Sequence, residues 1–155
     1  MHVLETTTRV PAPLEEVFAF FSDPGNLARL TPPWLRFRIQ PPAPERMEEG
    51  ARIEYRIRWL VFTLRWVTVL SRWVAGVEFQ DRQERGPYRT WIHTHRFARD
   101  GAGGVLMRDR VEYELPFGVL GRIAHAMLVR RQLQGIFEYR RRAIEKIFPA
   151  TQADS

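Results

Sequence analysis

Residues 79–97, FQDRQERGPYRTWIHTHRF, and residues 105–116, VLMRDRVEYELP, decide how this chain folds. Side chains alternate across a strand with a period of two. Trp91, His93, His95 and Phe97 therefore share one face of the first stretch. Met107, Asp109, Val111, Tyr113 and Leu115 share one face of the second, with Arg108, Arg110, Glu112 and Glu114 opposite. Each stretch thus predicts a strand with an apolar face, interrupted only by His93, His95 and Asp109. In the second stretch the other face is charged, the pattern of an antiparallel sheet with one wet side. The turn Asp100-Gly101-Ala102-Gly103-Gly104 separates the two strands. Centred near Ala102, it sets His95 opposite Asp109 and Trp91 opposite Tyr113. Asp81, two residues beyond Phe79, then comes alongside His93 from the preceding strand. These pairings depend on register, because a slip of one residue turns every side chain to the other face.

Working outward, Ile53, Tyr55, Ile57 and Trp59 alternate with Arg52, Glu54, Arg56 and Arg58, which predicts a strand from Ala51. Leu35 to Gln40, Leu64 to Ala75, Val77 to Arg85, Tyr88 to Arg99 and Val105 to Leu115 read as further strands. Gly50, Gly76 and Gly86-Pro87 mark turns among them. At the start, His2 to Val10 reads as a strand ended by Pro11-Ala-Pro13, because proline cannot donate to a ladder. Leu14 to Phe21 predicts a short helix, and Asn26 to Leu30 another turn or two. Beyond Gly118 the period becomes helical. Leu120, Ile123, Ala124, Met127, Leu128, Ile136, Phe137, Ile144, Ile147 and Phe148 form an apolar stripe, with Gln132, Gln134 and arginines opposite. A helix of roughly 30 residues needs a long surface to lie on, and a curved meander needs its concave face covered. The expected fold is therefore α+β: a curved antiparallel sheet of about seven strands around a long C-terminal helix, with two short N-terminal helices and space in between. One domain is expected over residues 1–149, with 150–155 as a frayed tail.

Composition narrows the chemistry. The 155 residues include no cysteine, which excludes disulfides, thiolate metal sites and cysteine nucleophiles. No apolar run approaches the roughly 20 residues that cross a bilayer. The opening MHVLETTTRV lacks the features of a signal peptide, so a cytoplasmic location is expected. Net charge is +6, and Lys146 is the single lysine among 24 Lys and Arg. Such a balance suits nucleic acid or an anionic membrane surface. The arginines are scattered, however, and the run Arg140-Arg141-Arg142 complements a helix dipole near its C-terminus. They are read as a solvated coat, with no specific nucleic-acid partner and at most transient membrane contact. Five Trp, four Tyr and ten Phe exceed what so small a core needs. Tyr55 and Trp59 lie opposite the arginines, which suits a cavity wall better than a base-stacking platform.

His93, His95 and Asp109 admit three readings: a polar anchor in a ligand pocket, an acid–base pair, or a satisfied internal network. Anchor or network is preferred over catalysis, since no separate nucleophile or oxyanion donor is evident. His93-x-His95 with Asp109 has the composition of a facial metal triad. That reading is set aside for want of a fourth ligand or supporting second shell, and no metal or cofactor is expected. His2 and His125 are isolated. Glycines 101, 103 and 104 lack the lysine and context of a phosphate loop.

The pattern F-x-D-x-Q-x-x-G-P-Y-x-x-W-x-H-x-H-x-F from Phe79, then M-x-D-x-V-x-Y-x-L-P-x-G-x-L-G from Met107, resembles the SRPBCC (START/Bet v 1-like) superfamily. More narrowly it is similar to the bacterial ligand-binding branch labelled "cell division inhibitor"-like. Pro13, Val17, Phe18, Phe20, Pro24, Asn26 and Leu27 are similar to the opening of that superfamily, and the resemblance spans about Val3 to Phe148. It implies a helix-grip fold over a hydrophobic tunnel. Relatives bind or carry lipids, sterols, quinones and polyketides, and a minority are cyclases or dehydratases. It carries no catalytic triad onto this chain. On this reading the protein binds a hydrophobic or amphipathic small molecule as a monomer or homodimer. Tyr55, Ile57, Trp59, Phe79, Trp91, Phe97, Met107, Val111, Tyr113, Met127, Leu128 and Ile136 would line the cavity. Asp81, His93, His95 and Asp109 would hold the polar end. The alternative is a cyclase- or dehydratase-type enzyme using His93, His95 and Asp109.

Overall fold

A computed structural model describes residues 1–59 and 61–150, the side chains of residues 125 and 126 excepted. Expected tail residues 151–155 lie outside it. The chain runs β1 (His2–Val10), α1 (Leu14–Phe21), a 3-10 turn (Pro24–Asn26), α2 (Leu27–Leu30), a second 3-10 turn (Pro33–Leu35) and β2 (Arg38–Ile39). There follow β3 (Arg52–Trp59), β4 (Phe62–Val74), β5 (Glu78–Arg85), β6 (Thr90–Arg99) and β7 (Val105–Glu114). Helix α3 (Gly118–Ala124), a π turn (His125–Val129) and α4 (Arg130–Ile147) complete the chain. All neighbouring strands are antiparallel, in the order β1-β7-β6-β5-β4-β3-β2. The α+β helix-grip expectation is met.

The register is the one the turn chemistry predicts. His95 pairs with Asp109 and Trp91 with Tyr113 across β6 and β7, and Asp81 pairs with His93 across β5 and β6. Asp100 fixes this register by accepting from the Ala102 and Gly104 amides inside the turn. Strand β2 is shorter than expected. The 3-10 turn and the left-handed Arg36 (φ 45°) take up the start of the segment.

Strand β4 changes face partway. Register shifts at Val67/Thr68 and Leu70/Arg72 insert unpaired residues, and a bulge of this kind bends a strand and re-aims its side chains. Trp66, Thr68 and Leu70 line the interior on one side of the second shift; beyond it Trp73 faces inward and stacks on Phe79.

The C-terminal helix is where expectation and structure part. The π turn carries more residues per turn than an α-helix, so the apolar phase is reset within it. Met127 is 77% exposed and Leu128 40%. Phe117, Val119, Leu120 and Ile123 are exposed as well, although Leu120 and Ile123 belong to the expected inner stripe. From the last residue of the turn onward, Val129, Leu133, Phe137, Ile144 and Phe148 face inward.

Two apolar clusters hold the layers together. One joins α1 and the end of α4 to the sheet through Val10, Val17, Phe21, Leu70, Phe79, Phe97, Met107 and Ile144. The other joins the start of α4 to Val111 and Tyr113 through Val129, Leu133 and Phe137. On the outer surface many arginines are already paired. Arg65 grips Glu54 through two nitrogens, Arg72 and Arg96 share Glu78, and Arg141 and Arg142 share Glu138. Solvent screens the exposed pairs, so they add little to stability.

Candidate functional site

At the seam between the two clusters lie four polar side chains from three strands and a fifth from α4. His93 and His95 project from the same face of β6, with ring centroids 3.8 Å apart. Asp109 Oδ1 lies 3.0 Å from His93 Nε2 and 2.8 Å from His95 Nδ1. On the opposite side, Asp81 Oδ2 lies 3.1 Å from His95 Nε2 and 3.9 Å from His93 Nδ1. Arg140 brings Nη2 to 3.4 Å from Asp109 Oδ1. Apolar rings wall the group in: Phe79 stacks on His95 at 4.3 Å, and Phe137 meets His93 edge-on at 5.7 Å.

Burial sets the electrostatics. Asp109 is 2% exposed, and burial alone would raise its pKa. Arg140 and the two imidazoles outweigh this and hold the carboxyl well below the usual carboxylate range. Burial depresses His95, but its bonds to Asp109 and Asp81 prevail and its pKa is raised. Burial and the neighbouring His95 lower that of His93, despite its bond to Asp109. The two histidines are thus driven apart by their surroundings.

This cluster forms part of the wall of a cavity of about 210 Å³ between the concave sheet face, α4 and the segment from α1 to Phe37. Tyr55, Ile57, Trp59, Phe79, Asp81, Trp91, His93, His95 and Ile136 line it, all expected positions. Phe97 and Met107 are packed in the core behind it against α1 and the end of α4. Val111 and Tyr113 are filled in by the start of α4. Met127 and Leu128 are carried outward by the π turn. Asp109 also stands behind this wall; it lines a second cavity of about 160 Å³ between β1 and α4, beside Thr6, Thr8 and Gln134.

Sequence reasoning missed several lining residues. Phe20 and Phe21 at the end of α1, Leu27 and Leu30 on α2, and Phe37 beyond the second 3-10 turn close one side; helices this short show too few turns for a period to tell which residues face a cavity. Arg140 does not belong to the solvated coat: its side chain is 11% exposed and lies over the Phe21 ring at 5.2 Å. A spacing signal existed: Leu133, Phe137, Arg140 and Ile144 recur at four, three and four, one continuous helix face. Two buried polar atoms on α4, Gln132 Oε1 and Arg140 Nε, have no hydrogen-bond partner among the described residues, and both residues line the main cavity.

Known proteins share this architecture. A family model described as polyketide cyclase/dehydrase and lipid transport matches residues 1–147. No curated protein matches. A Thermus thermophilus protein, TTHA0849, is 21% identical with a TM-score of 0.68, the match covering 98% of this chain and 100% of that one. A START superfamily protein from Mycobacterium smegmatis is 13% identical with a TM-score of 0.70, covering 95% and 99%. A nucleoside-diphosphate sugar epimerase from Corynebacterium glutamicum is 26% identical with a TM-score of 0.65. There the match covers 92% of this chain and 28% of that one. No described helix is long and apolar enough to cross a membrane.

Proposed function

Since the chain belongs to the polyketide cyclase/dehydrase and lipid transport family, we propose that it binds a hydrophobic or amphipathic small molecule in the main cavity. The observation that carries this reading is the unpaired donor and acceptor, Arg140 Nε and Gln132 Oε1, on a wall made mostly of aromatic and aliphatic side chains. Buried polar atoms are nearly always hydrogen-bonded, so these two are placed to meet polar groups of a guest. Asp81, His93 and His95 supply further polar contacts on the sheet side.

Size limits the guest. An apolar void of about 150 Å³ accepts benzene, and drug-sized ligands occupy roughly 300 Å³ or more. At about 210 Å³, the cavity suits a one- or two-ring compound or a short acyl chain with a polar end. Trp59, Trp66 and Trp91 line it, so occupancy should quench tryptophan fluorescence. Titration with 1,4-naphthoquinone and with decanoate, alongside native mass spectrometry of gently purified protein, tests the proposal. Saturable quenching that weakens in Arg140→Met and Gln132→Leu supports it. No saturable quenching by either probe, with no co-purifying mass, overturns it.

Catalysis is the second reading, favoured by two adjacent histidines of opposed pKa shift that both face the cavity. The acid–base pair would be His93 and His95, with Asp109 positioning both from behind. Turnover of a bound polyketide-like probe, lost in His95→Ala while quenching persists, would separate catalysis from binding alone.

A further inference from the structure

We propose that Asp81, His93 and His95 form a binding site for a divalent transition ion of the zinc or iron(II) type, open to the main cavity. Asp109 braces both rings from behind: its Oδ1 sits 3.0 Å from His93 Nε2 and 2.8 Å from His95 Nδ1. A carboxylate can only accept, so His93 Nε2 donates to it. In the ion-free protein His95 Nε2 likewise donates to Asp81 Oδ2, and a bound metal ion would take the place of that hydrogen. The nitrogens turned away from Asp109 are His93 Nδ1 and His95 Nε2. Both face Asp81 Oδ2, at 3.9 and 3.1 Å. One ligand atom from each of the three residues lies within 4.8 Å of the other two.

An ion bound at roughly 2.0–2.2 Å from each donor needs donors roughly 3 to 3.6 Å apart. Asp81 Oδ2 and His95 Nε2 already stand 3.1 Å apart, and an ion would draw the His93 ring in from its 3.9 Å separation. Behind the donors stands the arrangement that metal-bound histidines ordinarily have, a carboxylate accepting their remaining N–H. Here a single aspartate serves both rings, and Arg140 holds it from the far side at 3.4 Å. Charge agrees as well. Asp81 and Asp109 bring two carboxylates into the seam and Arg140 offsets one. A dication on the cavity side neutralises the other and leaves one positive charge to attract a polar group of a guest or a hydroxide. Because Asp81, His93 and His95 all line the cavity, positions left open on the ion would face a guest molecule. The set that the sequence suggested, with Asp109 as a ligand, is corrected: Asp109 supports the rings and Asp81 is the third donor. Two imidazoles and one carboxylate favour zinc, iron(II) or nickel over magnesium and calcium, which prefer oxygen.

The test is a calorimetric titration of chelator-treated protein with Zn2+, with Mg2+ as the contrast and circular dichroism confirming the fold of every variant. One Zn2+ per chain is expected, with no Mg2+ uptake. Asp81→Asn and His93→Ala should each weaken Zn2+ binding at least 100-fold, and Asp109→Asn by 10- to 100-fold. His2→Ala should leave it unchanged. X-ray absorption of the Zn2+-loaded wild-type protein gives an answer that needs no variant, a shell containing two imidazoles. Failure to bind Zn2+, binding that survives both Asp81→Asn and His93→Ala, or a shell without imidazole overturns the proposal. Quenching by 1,4-naphthoquinone in metal-free protein is a separate readout, so the ligand reading stands or falls independently.

Discussion

Arg140 on α4 places Nη2 3.4 Å from Asp109 Oδ1 on β7, a cation and an anion meeting across the interior with side chains 11% and 2% exposed. A buried pair of this kind adds little over well-packed apolar residues, but removing one partner strands the other charge. Arg140→Met should therefore destabilise the protein by about 3 to 5 kcal/mol. Adding Asp109→Asn should recover part of that loss, because the stranded charge goes with it. Urea unfolding of the two single variants and the double variant measures the coupling. Strict additivity would show that Arg140 does not neutralise Asp109.

Gln83 closes the turn between β5 and β6 through its carboxamide. Nε2 donates to the Tyr88 carbonyl at 2.7 Å, and Oε1 accepts from the Tyr88 amide at 3.2 Å. A Cβ on Gly86 would stand 2.3 Å from that Oε1, so glycine there leaves room for the bond. Gln83→Ala should cost about 1 to 3 kcal/mol by leaving the Tyr88 amide without its partner. Tyr88 packs on Trp66 and Trp91, so the near-UV circular dichroism should weaken too. An unchanged spectrum at unchanged stability would mean water replaces the carboxamide without loss.

Much of this architecture was legible because it follows a period. The alternation through Trp91–Phe97 and Met107–Leu115, with a glycine turn between, placed His95 opposite Asp109, where the ladder has them. Periodicity could not show which carboxylate faces the cavity. Asp81 and Asp109 flank the same two rings, and only the three-dimensional arrangement sets Asp81 in the main cavity and Asp109 in the second. The π turn was equally hidden, since an apolar stripe drawn at constant phase passes straight through Met127 and Leu128 to the exposed side. Arg140 escaped notice for a chemical reason: it sits beside two arginines that pair with Glu138 on the surface, and a cation on an inner face defeats an apolar template.

The entry to α3 depends on close backbone contact. Phe117 has φ 71° and Gly118 φ 51°, and a Cβ on Gly121 would stand 2.2 Å from the Pro116 carbonyl oxygen. Backbone at that distance cannot yield without moving the helix. Gly121→Ala should cost roughly 1 to 3 kcal/mol through overpacking. Gly135→Ala is the matched control: its site within α4 has nothing within 4 Å, so it should gain about 0.4 to 1 kcal/mol. Thermal melts of the two variants should move in opposite directions. A Gly121→Ala protein as stable as wild type would show that α3 can lift off the β7 end without penalty.

Raising the pH above 9 tests the cavity wall itself. With no cysteine, one lysine and four tyrosines, the side chains that titrate there are almost all phenols. Burial raises the pKa of Tyr55 and Tyr88, the bond from Tyr55 to Thr68 offsetting only part of it. A tyrosine in the unfolded chain ionises near 10. The unfolded state therefore releases protons first, so stability is fully present below about pH 10 and falls as pH rises beyond it. Each such tyrosine contributes a slope of about 1.4 kcal/mol per pH unit. The urea midpoint should stay level from pH 7 to about 9.5 and then drop, with the tyrosinate absorbance of Tyr55 and Tyr88 appearing together with unfolding. Tyr55→Phe should lessen the slope by one tyrosine's share. Tyrosinate absorbance rising at pH 10 in all four phenols of a still-folded protein would mean the wall at Tyr55 and Tyr88 is open to water.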